Sequence, residues 1–341
     1  MKKRQILMLL VPVLLCGMFN LGMYRVLTCR LSNNFSSASQ AQMIDVGRYL
    51  PFDPDADLPD LNTSVKFSDD LPVLDGAAAL VPVYAAVIRN LYPEGCVTFE
   101  GGEFSSDNYY GENFAPDSVM QYRNTVRGFQ AVVDGSADVF FSAAPSEDQK
   151  RYAQEQGVEL VYVPVGLEAF VFFVNEQNPV ETLTSEQIRE IYAGNVTNWS
   201  EVGGPDRIIN PVTRLKGSGS QTLFEMFMGG RTIGRKSPFA VTGGALGFSF
   251  RFYLEGIVGN SGVKMLALNG VTPTAEHIRD GSYPVVAQFY AVYRADNDNP
   301  NIPVLIDWLL SPEGQELIEK TGSAKDNQSQ QRSHSYAAGK R

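Results

Sequence analysis

Short apolar segments alternate with helical patterns along residues 71–325, and this alternation restricts the chain to a layered α/β architecture. Residues 71–93, LPVLDGAAALVPVYAAVIRNLYP, predict a strand, a tight glycine turn and a helix. Residues 128–146, GFQAVVDGSADVFFSAAPS, predict a helix that ends near Gly135 and a buried strand after it. Further strands are predicted in VELVYVPV and EAFVFFVN.

Two later helices carry clear end signals. In LTSEQIREIYAG, Thr184 and Gln187 form a capping-box pattern and Gly194 ends the helix. In SPEGQELIEKTG, Ser311 is the predicted N-cap and Pro312 occupies the first helical position. The length of 341 residues allows about two domains built in this way.

Charge and cysteine content exclude several function classes. The formal net charge is −10 and no basic stripe is present, which argues against nucleic acid as a partner. Because the chain has two histidines and Cys96 is the one cysteine beyond the N-terminal region, neither a metal cluster nor an internal disulfide is expected. The sequence has no G-x-S-x-G elbow and no P-loop lysine motif, so we expect no catalytic residues, no enzyme activity and no cofactor.

The N-terminal region predicts export from the cytoplasm. Lys2, Lys3 and Arg4 precede an apolar run from Ile6 to Tyr24 that is long enough to cross a membrane. No small-x-small cleavage site follows directly, since the SQA that ends at Ala41 lies far from the run. An uncleaved anchor would hold the domain on the outer face of the cell membrane. The alternative is secretion after signal cleavage.

The N-terminal and C-terminal regions complete the predicted domain organisation. We expect residues 1–30 to form the signal anchor or transmembrane segment, and residues 31–70, rich in Ser, Asn, Asp and Pro, to form a flexible tether. Residues 326–341 are predicted to be a disordered tail.

Three of the predicted turns lead from a strand edge through small residues into a helix. They are DGAAAL at 75–80, YRNTVRGF at 122–129 and KGSGSQTLF at 216–224. A helix N-terminus presents unpaired N–H groups and about half a positive charge. If the three turns converge, an oxyanion belongs between them. If they do not, each is an ordinary connection between a strand and a helix.

Residues 184–227, TSEQIREIYAGNVTNWSEVGGPDRIINPVTRLKGSGSQTLFEMF, closely resemble the core of the phosphate-binding receptors of bacterial ABC importers. The similarity continues through GGALGFSF, ALNGVTPTAEHIRDGSYPV and LIDWLLSPEGQELIEKTG, and it covers about residues 71–325. The resemblance implies a two-lobed type II periplasmic-binding-protein fold with a hinge, preceded here by the N-terminal membrane helix. Lobe 1 would comprise residues 71–165 plus 283–325, and lobe 2 residues 166–282.

The resemblance also implies a ligand site between the lobes. In that family an oxyanion is bound by helix N-termini, hydroxyls, one Arg and one Asp. The family's R-x-x-G-S-G-[ST] run matches residues 214–220, where Arg214 would supply the charge and Ser218 and Ser220 the hydroxyls. The full set of implied anion-binding residues is Arg214, Gly217, Ser218, Gly219 and Ser220 from this run, with Ala78, Ala79, Leu80 and Thr125 from the first lobe.

The chain departs from the family pattern at its first-lobe positions. Alanines at 77–79 replace the expected hydroxyl residues, and Ala143 stands where the family has the Asp. A carboxylate tolerates an oxyanion only by accepting a proton that the ligand carries, so the loss of this Asp removes a filter against sulfate. Lys216, Arg127 and Arg251 are candidate additional cations that would replace the missing groups.

The implied function is extracytoplasmic capture of phosphate or a related oxyanion for an ABC importer, with the permease subunits as partners. The alternative is a membrane-anchored extracellular sensor or scaffold that has the same fold and an altered ligand.

Overall fold

The computed structural model describes residues 46–101, 114–214, 216–234, 244–257 and 262–324. The helices, numbered in chain order, are α1 (Val81–Leu91), α2 (Asn124–Asp134), α3 (Glu147–Glu155), α4 (Ser185–Ala193), α5 (Gly219–Met228), α6 (Ala275–Arg279), α7 (Asn301–Leu310) and α8 (Pro312–Lys320). The strands are β1 (Leu74–Gly76), β2 (Val139–Ala143), β3 (Leu160–Asn175), β4 (Thr182–Leu183), β5 (Asn210–Pro211), β6 (Ala245–Phe250), β7 (Val263–Met265), β8 (Ala267–Leu268) and β9 (Val286–Arg294).

The predicted mixed α/β architecture is confirmed, and its helix ends follow the sequence signals. Thr184 and Gln187 form a capping box at the start of α4, and Gly194 ends that helix in a left-handed conformation. The hydroxyl of Ser311 caps α8, whose first residue is Pro312.

Apart from the separate parallel pair β4–β8, the described strands form one seven-stranded sheet. Its strands lie in the order β1-β2-β9-β3-β6-β5, with β7 also paired to β3. The two outer pairs, β1–β2 and β5–β6, are parallel, and the central pairs are antiparallel. Strand β3 is 16 residues long. Its first part pairs with β9 and its second part with β6 and β7, so β3 links the two halves of the sheet.

Two large apolar clusters form most of the core, and β3 contributes to both. Val163 and Val165 belong to a cluster with α1, α7 and α8, which we term lobe 1 together with a smaller cluster of α2, α3, β2 and β9. Residues 169–174 belong to a second cluster with α4, α5 and β6, which we term lobe 2. In lobe 2 the rings of Phe224 and Phe248 stack with centroids 4.2 Å apart. The chain therefore passes from one lobe to the other between Val165 and residue 169.

The pairing of β3 with β9 is irregular at this passage. The register shifts between Pro164 and Gly166. A Cβ on Gly166 would lie 2.3 Å from Cζ of Phe289, so only glycine allows the Phe289 ring to lie across the strand. Strand β3 and its partner β9, which we term the linking strands, thus carry a local distortion where the lobes meet.

Residues 46–70 pack against lobe 1, whereas the sequence predicted a flexible tether for this stretch. Val46, Tyr49, Leu58 and Phe67 are buried in the lobe 1 core. The prediction was wrong for these residues because it followed the polar composition, and a few widely spaced apolar side chains are enough to fix an irregular segment on a preformed surface.

Hydrogen bonds hold the same segment in place. The N–H of Phe67 donates to Leu91 O at 2.8 Å. The carboxylate oxygen Oε2 of Glu313 accepts from the Thr63 hydroxyl at 2.9 Å and from Trp308 Nε1 at 3.1 Å. This segment is therefore part of the folded lobe and belongs in any protein used for experiments.

Replacing Phe67 by alanine tests whether this segment stabilises lobe 1. Phe67 is 7% exposed and contacts the Tyr92 ring edge-to-face, with centroids 5.4 Å apart. We expect Phe67→Ala to lower the free energy of unfolding by about 3–4 kcal/mol, because the removed ring leaves a cavity. Urea denaturation followed by circular dichroism measures this. Val304→Ala, at a position 42% exposed, is the control and should change little. If Phe67→Ala and Val304→Ala were equally stable, residues 46–70 would act as a tether and would not stabilise lobe 1.

The predicted membrane anchor, residues 1–30, and the predicted tail, residues 326–341, lie outside the described residues. Within the described ranges, no helix combines the length and apolar character needed to span a bilayer.

Candidate functional site

A cavity lies between the two lobes, beside the linking strands β3 and β9. The cavity volume is about 80 Å³, which is enough for a few waters or one small oxyanion. Its walls come from both lobes. The lining residues are Ala77, Ala78, Ala79, Leu80, Asn124, Thr125, Ala143, Glu168, Arg214, Ser218, Gly219, Ser220, Ser249, Phe250, Tyr253, Gln288 and Phe289.

The first wall is the turn between β1 and α1. Residues Ala78–Leu80 form a 3-10 helix that runs directly into α1. The N–H of Ala77 donates to Phe141 O and the N–H of Leu80 donates to Ala77 O, both at 2.8 Å. The N–H groups of Ala78 and Ala79 are the first of this helical segment, so they are the donors left for a ligand. The predicted role of the Leu80 N–H is not supported, because the turn already uses that donor.

The second wall is the start of α2. Asn124 adopts a left-handed backbone conformation with φ 59°, which is uncommon for a residue other than glycine. Its Oδ1 accepts from the N–H of Thr125 at 2.7 Å and from the Thr125 hydroxyl at 3.3 Å. The Asn124 oxygen therefore lies at a helix N-terminus where an anion oxygen would bind. A side-chain rotation of Asn124 would release both Thr125 donors.

The third wall is the N-terminus of α5 in lobe 2. Ser218 is the N-cap, and its Oγ accepts from the N–H of Gln221 at 3.2 Å. The N–H groups of Gly219 and Ser220 come next and have no partner within the helix. A Cβ placed on Gly219 would lie 3.7 Å from the Cβ of Ala143, so this helix end lies close to lobe 1.

Arg214 brings positive charge to the cavity. Its backbone N–H donates to Gln221 Oε1 at 2.9 Å, and the Gln221 amide in turn donates to Glu225 Oε1 at 3.0 Å. Its guanidinium carbon lies 5.8 Å from the centroid of the Tyr253 ring. Burial raises the pKa of the Tyr253 hydroxyl, and Arg214 opposes that change. Among the described residues no carboxylate forms an ion pair with Arg214, which leaves its charge available to an anion.

Asp75 connects the first two walls. It is fully buried, and its Oδ1 accepts from the N–H of Gly76 at 2.8 Å and from the N–H of Arg123 at 3.0 Å. Its Oδ2 pairs with Arg123 Nη1 at 2.9 Å. Burial raises the pKa of Asp75, while Arg123 and the two N–H donors oppose that change. One carboxylate thus fixes the turn before α1 relative to the start of α2.

A family model described as a PBP superfamily domain matches residues 110–313, which is more than half of the chain. The chain belongs to the PBP superfamily. The match spans the second and third walls of the cavity and both linking strands.

Curated proteins provide further similarity. The chain is 24% identical over 207 residues to the phosphate-binding protein PstS of Borreliella burgdorferi, covering 54% of this chain and 72% of that protein. It is 24% identical over 227 residues to PstS of Bacillus subtilis, with 63% and 72% covered. Identity to protein SphX of Synechococcus elongatus is 24% over 288 residues, with 71% and 83% covered.

Solved structures share the fold. A protein from Clostridium perfringens, assigned as a phosphate ABC transporter substrate-binding protein and solved with bound phosphate, superposes with a TM-score of 0.54 at 24% identity. The superposition covers 74% of this chain and 98% of that one. An ABC-type phosphate transport receptor from Vibrio cholerae gives a TM-score of 0.50 at 22% identity, with 74% and 99% covered.

Within this PBP-superfamily fold, most of the residues predicted from the sequence line one cavity. Those that line it are Ala78, Ala79, Leu80, Thr125, Arg214, Ser218, Gly219 and Ser220. Gly217 does not line the cavity. It has φ 85° and forms the turn that precedes α5.

The three candidate cations lie outside the cavity lining. Lys216 is exposed and pairs with Asp148 of lobe 1, with Nζ 2.6 Å from Oδ2. Arg251 pairs with Glu255 at 2.7 Å and donates to Gly322 O at 3.3 Å. Arg127 lies in α2 and does not line the cavity. The described contacts therefore give no support to the hypothesis that these cations replace the missing hydroxyls and Asp.

Sequence reasoning missed one charged group in the cavity wall. Glu168 lines the cavity from β3 and is 4% exposed. Asn124, Ser249, Tyr253 and Gln288 were also missed as polar lining residues. The available signal for Glu168 was a single acidic residue at the start of the apolar strand EAFVFFVN, since a charge in a buried strand requires a partner.

The positions that depart from the family pattern form an apolar contact between the lobes. Ala78, Ala79 and Ala143 pack against a cluster that contains Phe250 and Tyr253. The alanines that replace the hydroxyl residues and the Asp therefore contact apolar side chains on the opposite wall.

Proposed function

We propose that this chain is an extracytoplasmic solute-binding protein that captures phosphate, or a related small oxyanion, between its two lobes for an ABC importer. The observation that supports it most strongly is the convergence of Arg214 with three helix N-termini on one cavity. Each N-terminus adds partial positive charge and N–H donors, and Arg214 adds a full charge. The names of the similar proteins favour phosphate over other oxyanions.

The donors available in the cavity suit an oxyanion bound through backbone groups. The N–H groups of Ala78, Ala79, Gly219 and Ser220 begin helical segments on opposite walls. Backbone donors remain available whatever side chain is present, so the alanines at 77–79 remove hydroxyls without removing the N–H groups. Charge-assisted hydrogen bonds from Arg214 would supply much of the affinity.

A two-lobed receptor delivers its ligand by opening and closing. The linking strands β3 and β9 would act as the hinge, and the permease subunits would recognise the closed form. The ion pair between Lys216 and Asp148 connects the lobes outside the cavity. It is exposed, so its contribution to closure would be small. The N-terminal segment would hold the receptor at the outer face of the membrane.

Calorimetry with inorganic phosphate tests this function. The full-length chain would be purified in mild detergent, stripped of ligand by unfolding and refolding, and titrated at pH 8. We expect binding at micromolar concentration or tighter, with sodium chloride at equal ionic strength as the blank. A correctly refolded protein that gives no heat with phosphate would contradict the proposal and favour a sensor or scaffold with another ligand.

A further inference from the structure

The wall of the cavity includes a residue with a buried carboxyl group. Glu168 lies in β3 where that strand passes between the lobes, and it lines the same cavity as Arg214. Its Oε1 accepts from the N–H of Ala169 at 3.1 Å and from the N–H of Phe252 at 3.3 Å. Its Oε2 accepts from the Ser323 hydroxyl at 3.3 Å. The donors thus come from three separate segments, which fixes the position of the carboxyl group.

The surroundings of Glu168 raise the pKa of its carboxyl group into the neutral range. Burial raises the pKa of Glu168 to about 7, against the opposing effects of the Phe252 N–H, the Arg251 guanidinium, the Ala169 N–H and the Ser323 hydroxyl. Arg251 is itself paired with Glu255.

The other polar and charged groups that share the cavity wall with Glu168 come from lobe 2 and from strand β9. Arg214 and Tyr253 share the cavity wall from lobe 2. Strand β9 contributes Gln288 to the same wall and places Ala287 opposite Glu168, and neither side chain titrates. The protonated and the ionised form of the Glu168 carboxyl group are therefore both populated near pH 7.

An oxyanion bound to Arg214 in this small cavity must also be compatible with Glu168. Two negatively charged oxygens repel each other unless they share a proton. That proton has two sources. Monohydrogen phosphate brings its own, whereas sulfate at neutral pH has none and needs the carboxyl group to be protonated.

We propose that Glu168 makes the anion selectivity of this cavity pH-dependent. The ionised carboxylate admits only oxyanions that carry a proton, and the protonated form also admits fully deprotonated oxyanions such as sulfate. This inference rests on the proposed function, since it concerns the same cavity. It assigns the discriminating group to β3, on a different strand from Ala143.

The affinity for sulfate at two pH values tests the inference. About ten elevenths of Glu168 is protonated at pH 6 and about one eleventh at pH 8, given a midpoint of about 7. We therefore expect sulfate to bind the full-length chain about tenfold more weakly at pH 8 than at pH 6. Phosphate carries a proton at both values and should show no comparable loss at pH 8.

Two substitutions of Glu168 separate its chemistry from its packing. In Glu168→Gln the amide does not titrate, so sulfate affinity should be independent of pH and the preference for phosphate at pH 8 should fall by about tenfold or more. Glu168→Asp retains a carboxyl group and should retain the pH dependence. Thermal melting checks that both variants fold, and Glu168→Ala, which also removes the titrating group, replaces the Gln variant if that variant is unfolded.

Glu147→Gln is the control, because this exposed carboxyl pairs with Lys150 on α3 and does not line the cavity. It should retain the sulfate profile of the wild type. Phosphate binding with a sulfate profile that is the same in wild type and in the Glu168 variant without a carboxyl group would overturn the inference and leave the proposed function intact. Failure of the wild type to bind either anion at either pH would overturn both.

Discussion

Arg214→Ala should weaken phosphate binding by about a hundredfold or more. Arg214 supplies the one guanidinium among the described cavity-lining residues, and no described carboxylate neutralises it. Truncating one partner of a buried charge-assisted contact costs about 3 kcal/mol or more, which corresponds to this change in Kd. Calorimetry on the full-length variant measures the effect. Thermal melting checks the fold of the variant, since it also loses the contact between the guanidinium and the Tyr253 ring.

Two further variants test whether the effect is specific to the guanidinium. Lys216→Ala removes a neighbouring cation that pairs with Asp148 outside the cavity, and we expect phosphate affinity to change by less than about threefold. Arg214→Lys keeps the charge but loses the planar set of donors, so its affinity should lie between those of the wild type and Arg214→Ala. Equal losses in Arg214→Ala and Lys216→Ala would indicate general electrostatic attraction without a defined contact.

The sequence predicted the parts of the site that depend on local structure. Helix starts have characteristic small and hydroxyl residues, which is why the turns at Ala78, Thr125 and Ser218 were predicted to be helix N-termini that bind an anion if they converge. The run from Arg214 to Ser220 is specific enough to identify a binding loop by resemblance. The convergence of the three turns on one cavity depends on the order of strands in the sheet, which no local pattern specifies.

The residues that were missed act through contacts distant in sequence. Glu168 meets Phe252 and Ser323, which lie 84 and 155 residues further along the chain. Only the folded structure shows that these segments surround a carboxyl group. The packing of residues 46–70 has the same origin, since Thr63 meets Glu313 at a separation of 250 residues. Composition predicted solvation for this segment because it contains no information about such partners.

Asp75 also acts through a contact distant in sequence, since Arg123 lies 48 residues further along the chain. Its replacement is the second change for which we expect a large effect. Asp75→Ala should lower the free energy of unfolding by about 3–5 kcal/mol, because it leaves Arg123 and two backbone N–H groups without their acceptor in a buried site. It should also weaken phosphate binding, since the N–H groups of Ala78 and Ala79 would lose their fixed position relative to Thr125. Urea denaturation and calorimetry measure the two effects.

An exposed ion pair provides the matched comparison for Asp75. Asp60 pairs with Arg89 on the surface of lobe 1, and its side chain is 76% exposed. Asp60→Ala should cost less than about 1 kcal/mol and leave phosphate affinity unchanged, because water solvates the groups that are freed. Asp75→Asn should fall between the two, since its amide oxygen still accepts from the N–H groups of Gly76 and Arg123 but no longer neutralises the guanidinium. If Asp75→Ala lost stability but bound phosphate like the wild type, the carboxylate would serve folding alone, and the two turns would be positioned for the ligand by the packing of α1 and α2.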